Sequence, residues 1–136
     1  MTNSALSDAA VSSEARLRFR LPRAAKLRRT RDIRRTLRRG DRASGPFVEV
    51  FSLPSSAGRP RIAIIVPKYG RNSVERNRVR RRLLEIARTA WMPVLFARGY
   101  ELDLIFRATP PAYDASFKQL RESLTDPLET ICAQQL

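Results

Sequence analysis

The apolar residues of this 136-residue chain recur at two spacings, which separate predicted helices from predicted strands. Intervals of three and four residues predict helices over residues 31–39, 74–92 and 114–124. Short apolar runs between turn residues predict strands over residues 47–53, 61–67 and 100–107. In the first helix, Thr30 is the predicted N-cap and Gly40 the residue that ends the helix. This order of elements predicts an α+β fold with a single β-sheet backed by helices.

The longest predicted helix, residues 74–92, has one clear apolar stripe. The stripe is formed by Val79, Leu83, Ile86, Ala87 and Ala90. Ser73 is suited to cap the start of this helix, and Glu75 is suited to the positive end of the helix dipole. Trp91 and Pro93 predict its end. The stripe indicates that the helix packs on the rest of the fold.

The same helix carries five arginines in the seven positions from Arg76 to Arg82. At about 100° per residue, arginines flank the apolar stripe on both sides, and Arg76 and Arg80 fall at its edge. A plain solvated residue is not expected there, so the first turn is predicted to overhang a groove. Glu75 and Glu85 are too few to neutralise this face, which therefore needs an anionic partner. A charge run that is merely a solvated face, inflated by an arginine-rich composition, is the alternative.

The composition narrows the function classes. A net charge of +14 and a pI near 11.5 indicate nucleic acid or an anionic membrane surface as partner. One cysteine and no histidine exclude an internal disulfide and remove the commonest metal ligand and general base. Without a long apolar run or signal-peptide features in residues 1–15, we expect a soluble, cytoplasmic protein.

The chain is expected to hold one folded domain. Residues 1–25 are predicted to form a disordered basic extension, and residues 26–136 an RNA-binding domain. Within residues 16–29, the alternation of arginines with apolar residues suits either an edge strand or an arm that orders on RNA.

The segment Arg76-Asn77-Arg78-Val79-Arg80-Arg81 resembles the RNR signature of the protein component of bacterial ribonuclease P. Residues 26–40 resemble the first helix of that family, residues 62–68 resemble the strand before its signature, and the resemblance as a whole runs from Lys26 to Leu124. It implies the fold of the second domain of ribosomal protein S5, in the order α-β-β-(β)-α-β-α. It also implies a left-handed β-α-β crossover, although right-handed connections are the general rule.

The resemblance further implies a ribonucleoprotein that removes the 5′ leader from precursor tRNA. In that family an RNA subunit performs the hydrolysis with Mg²⁺, and the protein binds the catalytic RNA and the single-stranded leader. The protein alone is expected to hold no metal, to be monomeric without RNA and to have no membrane partner.

Two sets of binding residues follow from the resemblance. The expected contacts to the catalytic RNA are Arg76, Asn77, Arg78, Arg80, Arg81, Arg82, Lys68 and Arg71. The expected lining of a leader groove between the first helix and the sheet is Ile33, Leu37, Phe51 and Arg28. Ile33 and Leu37 stand where the family commonly has aromatic residues, so base stacking worth about 1–3 kcal/mol per base would be missing there. Leu84 stands at the place of a common arginine.

Two functions of other classes are the alternatives. Glu101 and Asp103 alternate on a predicted strand and so share a face, which suits a two-carboxylate Mg²⁺ site in a stand-alone protein nuclease. A non-catalytic ribosomal-type or RNA-chaperone module would carry a similar basic surface. Phe47, Phe51 and Phe106 are each either core residues or platforms for bases.

Overall fold

The computed structural model describes residues 13–135, and these form six α-helices and four β-strands. The helices are α1 (Ser13–Arg18), α2 (Thr30–Arg39), α3 (Ser73–Ile86), α4 (Met92–Ala97), α5 (Phe117–Ser123) and α6 (Thr125–Gln134). The strands are β1 (Asp41–Ser44), β2 (Val48–Pro54), β3 (Arg61–Ile65) and β4 (Leu102–Ala108). Short 3-10 turns occupy Arg23–Ala25 and Pro110–Asp114, and a π-helical turn occupies Ala87–Trp91.

The four strands form one mixed sheet in the order β1-β2-β4-β3. The pairs β1–β2 and β2–β4 are antiparallel, whereas β3 and β4 are parallel neighbours joined through α3 and α4. The predicted α+β architecture with a single sheet and packed helices is therefore confirmed. The left-handedness of the crossover stays a prediction. No helix in the described range 13–135 is both long and apolar enough to span a membrane.

Because side chains alternate along a strand, the sheet has two differently covered faces. One face packs against α3 to α6 and forms the main core, which includes Val50, Leu104 and Phe106. The opposite face, called here the α2 face, is covered at its centre by α2. It holds a smaller cluster around Phe51 and Ile105. The helices α2 and α3 therefore lie on opposite sides of the sheet.

Helix α2 was predicted correctly in extent, but its ends differ from the prediction. Arg29 is the N-cap residue and makes no side-chain capping bond, so Thr30 lies inside the helix instead of capping it. Gly40 does end the helix, but with extended backbone angles, not left-handed ones. A Cβ at this position would lie 2.5 Å from the Thr36 carbonyl oxygen and 2.8 Å from that of Ser52, so the close approach of α2 to the sheet requires glycine.

The long helix begins and ends differently from the prediction. Asn72, not Ser73, caps α3: its side chain accepts a hydrogen bond from the Glu75 N–H, and the Glu75 carboxylate accepts one from the Asn72 N–H. Trp91 and Pro93 do not end the helical path, which continues through the π turn into α4. Pro93 is tolerated because it lies in the first turn of α4, where its missing N–H needs no partner.

Part of the expected disordered extension is folded. Residues 1–12 lie outside the described residues, but α1 and the 3-10 turn fall within residues 13–25. Phe19 and Leu21 pack against the main core, and the Phe19 and Phe96 ring centroids lie 5.7 Å apart. These apolar contacts explain why this stretch is ordered.

The remaining differences concern elements at the periphery. Strand β1 was not predicted from the apolar spacing, because its mostly exposed sequence DRAS has no apolar alternation, although the order implied by the resemblance allows a third strand before the crossover helix. The helix expected over 114–124 begins later, with Ser116 and Gln119 forming a capping box at the start of α5. After Leu124 the chain restarts as α6, which buries Leu128, Ile131 and Cys132.

Candidate nucleic-acid interface

Helix α3 is anchored on the main core by its predicted apolar stripe. Val79, Leu83 and Ile86 are buried, while Asn77, Arg78 and Arg81 are exposed. The arginines at positions 76, 80 and 82 are partly buried, as the helical wheel indicated for the first and second of them. The core contact thus fixes the direction in which the charged side of the helix faces.

None of the five arginines from 76 to 82 forms an ion pair with a residue in the described part of the chain. Two are held by uncharged acceptors: Arg80 donates to the Asn77 Oδ1 at 2.9 Å, and Arg82 donates to the Ala115 carbonyl oxygen at 3.0 Å. The Nε of Arg76 is buried without a hydrogen-bond partner. Several arginines elsewhere are neutralised, as in the 2.6 Å pair between Arg88 and Glu85, which lowers the pKa of Glu85. The five arginines therefore give α3 an excess of positive charge with no ion-pair partner among the described residues.

The loop before α3 is held by an internal network. Arg71 lies 3.1 Å from the Glu75 carboxylate, 3.5 Å from that of Asp114, and 4.9 Å from the centre of the Tyr113 ring. The hydrogen bond to Glu75 is the main reason that the pKa of Arg71 is raised. The pKa of Glu75 is lowered, first by the backbone N–H of Asn72 and then by Arg71. Arg71, expected to contact RNA, thus also has a structural role.

Two tyrosines hold the backbone of this region, Tyr69 from within the loop and Tyr113 from the 3-10 turn Pro110–Asp114. Tyr113 donates a hydrogen bond to the Pro67 carbonyl oxygen at 2.7 Å, and burial raises its pKa. Tyr69 has a positive φ of 45° and donates to the Ala108 carbonyl oxygen at 3.2 Å, yet 46% of it is exposed. Lys68 is exposed beside it. Sequence reasoning did not single out Tyr69, although the positions next to a basic motif are where an exposed ring could have been sought.

The predicted leader residues are partly brought together on the α2 face. Ile33 and Leu37 pack, half-buried, against the small cluster that contains Phe51, which is only 4% exposed. The Arg107 guanidinium lies 4.8 Å from the centre of the Phe51 ring, so this ring is not an open platform for a base. Arg28 does not join this cluster and lies in a separate basic concavity near the start of α2.

Three further residues on the α2 face were missed by sequence reasoning. Ala63 and Ile65 are half-buried against the cluster, and Arg107 is held by Glu49 at 2.8 Å. The cross-strand register places Ala63 beside Ile105 and Ile65 beside Arg107. The alternation of the predicted strands already contained this information, because Ala63 and Ile65 share a face.

The two carboxylates of the nuclease alternative do not form a joint site. Asp103 is fully buried and accepts two hydrogen bonds of 2.7 Å from Arg61. Arg61 also lies 3.5 Å from Asp32, and its pKa is raised mainly by the bond to Asp103. Glu101 precedes β4 and is exposed. Alternation along the strand did not produce a joint site, because the buried Arg61 on the neighbouring strand β3 binds Asp103 in the interior.

The other aromatic candidates belong to the core. Phe106 is fully buried, with its ring centre 4.8 Å from that of Trp91 in an edge-to-face contact. Phe47 is partly buried against the main core. Phe106 therefore presents no face for a nucleic-acid base.

A small mixed sheet with an arginine-bearing crossover helix defines a basic α+β protein whose charged surface suits a nucleic acid. The family model described as ribonuclease P matches residues 21–132, and the chain belongs to this family. The resemblance identified from the RNR segment is thereby confirmed.

Individual relatives agree with this assignment. A ribonuclease P protein component from Acidothermus cellulolyticus is 37% identical over 102 residues, covering 74% of this chain and 82% of the relative. One from Pseudarthrobacter chlorophenolicus is 37% identical over 106 residues, covering 77% and 75%.

Solved structures show the same fold. The Staphylococcus aureus RNase P protein matches with a TM-score of 0.66 at 24% identity, covering 80% of this chain and 95% of that one. The protein from Thermotoga maritima matches with a TM-score of 0.63 at 20% identity, covering 77% and 96%.

Proposed function

We propose that this protein is the protein subunit of ribonuclease P, in which an RNA subunit hydrolyses precursor tRNA and frees its mature 5′ end. Family membership supports the assignment, and the uncompensated arginines of α3 carry it at the level of this chain. The protein acts in the cytoplasm, is monomeric without RNA, and contributes binding, not bond cleavage.

The arginines of α3 are suited to the phosphates of the catalytic RNA. A guanidinium binds phosphate through two parallel hydrogen bonds, and it keeps its charge at any physiological pH. Arg78 and Arg81 project into solvent, while Arg76 and Arg80 lie lower on the helix, beside the core contact. RNA that rests on this side would bind the exposed guanidinium groups and neutralise the helix.

Precursor tRNA would use the opposite side of the sheet. The cluster of Ile33, Leu37 and Ile65 offers apolar contact to an unpaired leader, and Arg107 offers charge beside it. Arg28 would contact the phosphate backbone of the leader near the start of α2. Since the Phe51 ring is covered, we expect base contacts here to depend on the aliphatic residues and on Arg107.

The protein's own buried carboxylates do not suit Mg²⁺. Asp103 is bound in both oxygens by Arg61, and Asp32 lies beside the same guanidinium. We therefore assign the catalytic Mg²⁺ to the RNA subunit. The same contacts argue against the stand-alone nuclease.

Reconstitution with a bacterial ribonuclease P RNA tests the proposal. At low Mg²⁺, adding the protein should increase cleavage of precursor tRNA, whereas the protein without RNA should not cleave. An unchanged cleavage rate would favour the non-catalytic ribosomal or chaperone module instead.

Salt dependence tests the arginines themselves. Affinity for the RNA subunit falls as salt rises, and the slope here means the magnitude of that fall in log affinity against log salt. Replacing Arg76 and Arg80 with alanine should lower this slope by about 1.4 to 1.8, at about 0.7–0.9 per lost phosphate contact. The matched control replaces Arg34 and Arg38, two exposed arginines of α2 on the other side of the sheet. An equal fall in both variants would show that only net charge matters.

A further inference from the structure

The basic concavity that contains Arg28 lies where the segment before α2 meets the start of β3. It has a volume of about 480 Å³, and six of its seven lining residues are cationic. The lining residues are Arg23, Ala24, Lys26, Arg28, Arg29, Arg59 and Arg61. We call this concavity the edge cleft, because β3 is the last strand of the sheet on this side.

The charges of the edge cleft are mostly uncompensated. Only Arg61 is neutralised, by Asp103 and Asp32 beneath it. The other five cations, Arg23, Lys26, Arg28, Arg29 and Arg59, have no ion pair with any residue between 13 and 135. Five like charges around one concavity repel one another, and an anion placed between them relieves that repulsion.

The backbone around the edge cleft is fixed before any ligand binds. Ala25 and Leu27 are buried on either side of Lys26, and the Leu27 N–H donates to the Ile62 carbonyl oxygen at 2.9 Å. Arg59 donates from Nε to the Ala24 carbonyl oxygen at 2.7 Å, which ties the loop before β3 to the 3-10 turn. Pre-positioned cations lose less conformational entropy on binding than free ones do.

The edge cleft is continuous with the arginine helix. A neighbouring concavity of about 350 Å³ is lined by Leu21, Lys26, Arg81, Leu84, Glu85 and Arg88, so the two concavities share Lys26. Lys26 thus stands between the cations of the edge cleft and Arg81 of α3. The basic surface passes around the edge of the sheet at β3, where Lys26 forms a backbone bridge with Ile62, from one side of the sheet to the other.

We propose that the edge cleft, at its cations other than the leader residue Arg28, is a second site for backbone phosphates of the RNA subunit, contiguous with the site on α3. This inference rests on the proposed function, because continuity through Lys26 assigns both sites to the same RNA. The ligand is recognised by its phosphodiester charge alone, since the lining offers no aromatic ring for a base.

Replacing Arg23 and Arg29 with alanine tests the inference. Both side chains are exposed and make no hydrogen bond to another described residue, so folding should survive, which a thermal melt checks. The magnitude of the slope of log affinity for the RNA subunit against log salt should fall by about 1.4 to 1.8. The double lysine variant, R23K with R29K, should keep most of the slope because it keeps both charges. Replacing Arg34 and Arg38 should leave the slope near its original value.

Parallel measurements separate the possible failures. If R76A with R80A lowers the slope but R23A with R29A does not, the edge cleft is not a phosphate site and the proposed function stands. If neither pair lowers the slope, the proposed function fails, and the inference that rests on it fails with it. If R23A with R29A instead changes only the ratio of holoenzyme affinities for precursor tRNA with and without its leader, the phosphates belong to the leader and the inference is overturned.

Discussion

Replacing Asp103 with alanine should destabilise the protein without touching the chemistry of cleavage. Asp103 is fully buried, and both of its oxygens accept from Arg61, whose side chain is 10% exposed. The substitution leaves a buried guanidinium with Asp32, 3.5 Å away, as its remaining carboxylate partner. A structural role and a catalytic role for Asp103 therefore predict different outcomes.

The expected loss of unfolding free energy is about 3 kcal/mol. Removing one partner of a buried ion pair costs about 3–5 kcal/mol, because the other charge is left without compensation. Asp32 keeps part of that compensation, which places the loss at the low end of the range. A domain of this size is stable by about 5–15 kcal/mol, so the variant should still fold at 25 °C.

Denaturant unfolding followed by circular dichroism measures this loss directly. The exposed neighbour provides the control, since Glu101→Ala should change the unfolding free energy by less than about 0.5 kcal/mol. Adding Arg61→Met to the Asp103 variant should recover part of the loss, because the unpaired charge is removed. Below its melting temperature, the Asp103 variant should support cleavage by the RNA subunit at the original rate.

An unfolding midpoint unchanged by Asp103→Ala would refute the assignment of this acid to the fold. So would a folded variant whose holoenzyme no longer cleaves, because that result would place Asp103 at the reacting phosphate.

The start of α3 yields two further predictions. Asn72→Ala should lower the unfolding free energy by about 1 kcal/mol, whereas Ser73→Ala should have little effect; chemical denaturation of both variants decides which residue is the cap. The Glu75 carboxyl has its pKa lowered below the ordinary value of 4.5, so its ionised form stabilises the fold above that pH, and the stabilisation is lost as pH falls through the lowered pKa. The melting temperature of Glu75→Gln should therefore lie below that of the original protein near pH 7 and converge with it in acid; a constant difference at all pH values would contradict this.

The main elements of the fold could be predicted because their apolar spacing is regular. The stripe from Val79 to Ile86 is buried as expected, and β2, β3 and β4 lie within two residues of their predicted bounds. The cap at Asn72 was also accessible in principle, since Glu75 stands at the capping-box distance from it. Strand β1 was not, because an exposed edge strand needs only a neighbour to pair with.

Some of the candidate sites could likewise be predicted from the sequence, and others could not. The arginines of α3 could be found because they are closely spaced in sequence and lie on one periodic helix. The pairing of Arg61 with Asp103 could not, since the two residues are 42 positions apart and meet only when β3 aligns with β4. The edge cleft likewise depends on the fold, which brings Arg59 against the turn at Arg23.

The π turn at Ala87–Trp91 separates the two halves of the long helical segment. Met92 donates its N–H to the carbonyl oxygen of Ala87, five residues earlier, so the turn takes up one residue more than an α-helical turn would. Deleting one residue there would restore an ordinary α-helical turn and leave α4 facing the same way relative to the stripe that anchors α3. A one-residue deletion at this point would consequently be taken up within the turn itself, and neither α4 nor the upstream guanidinium groups would change orientation.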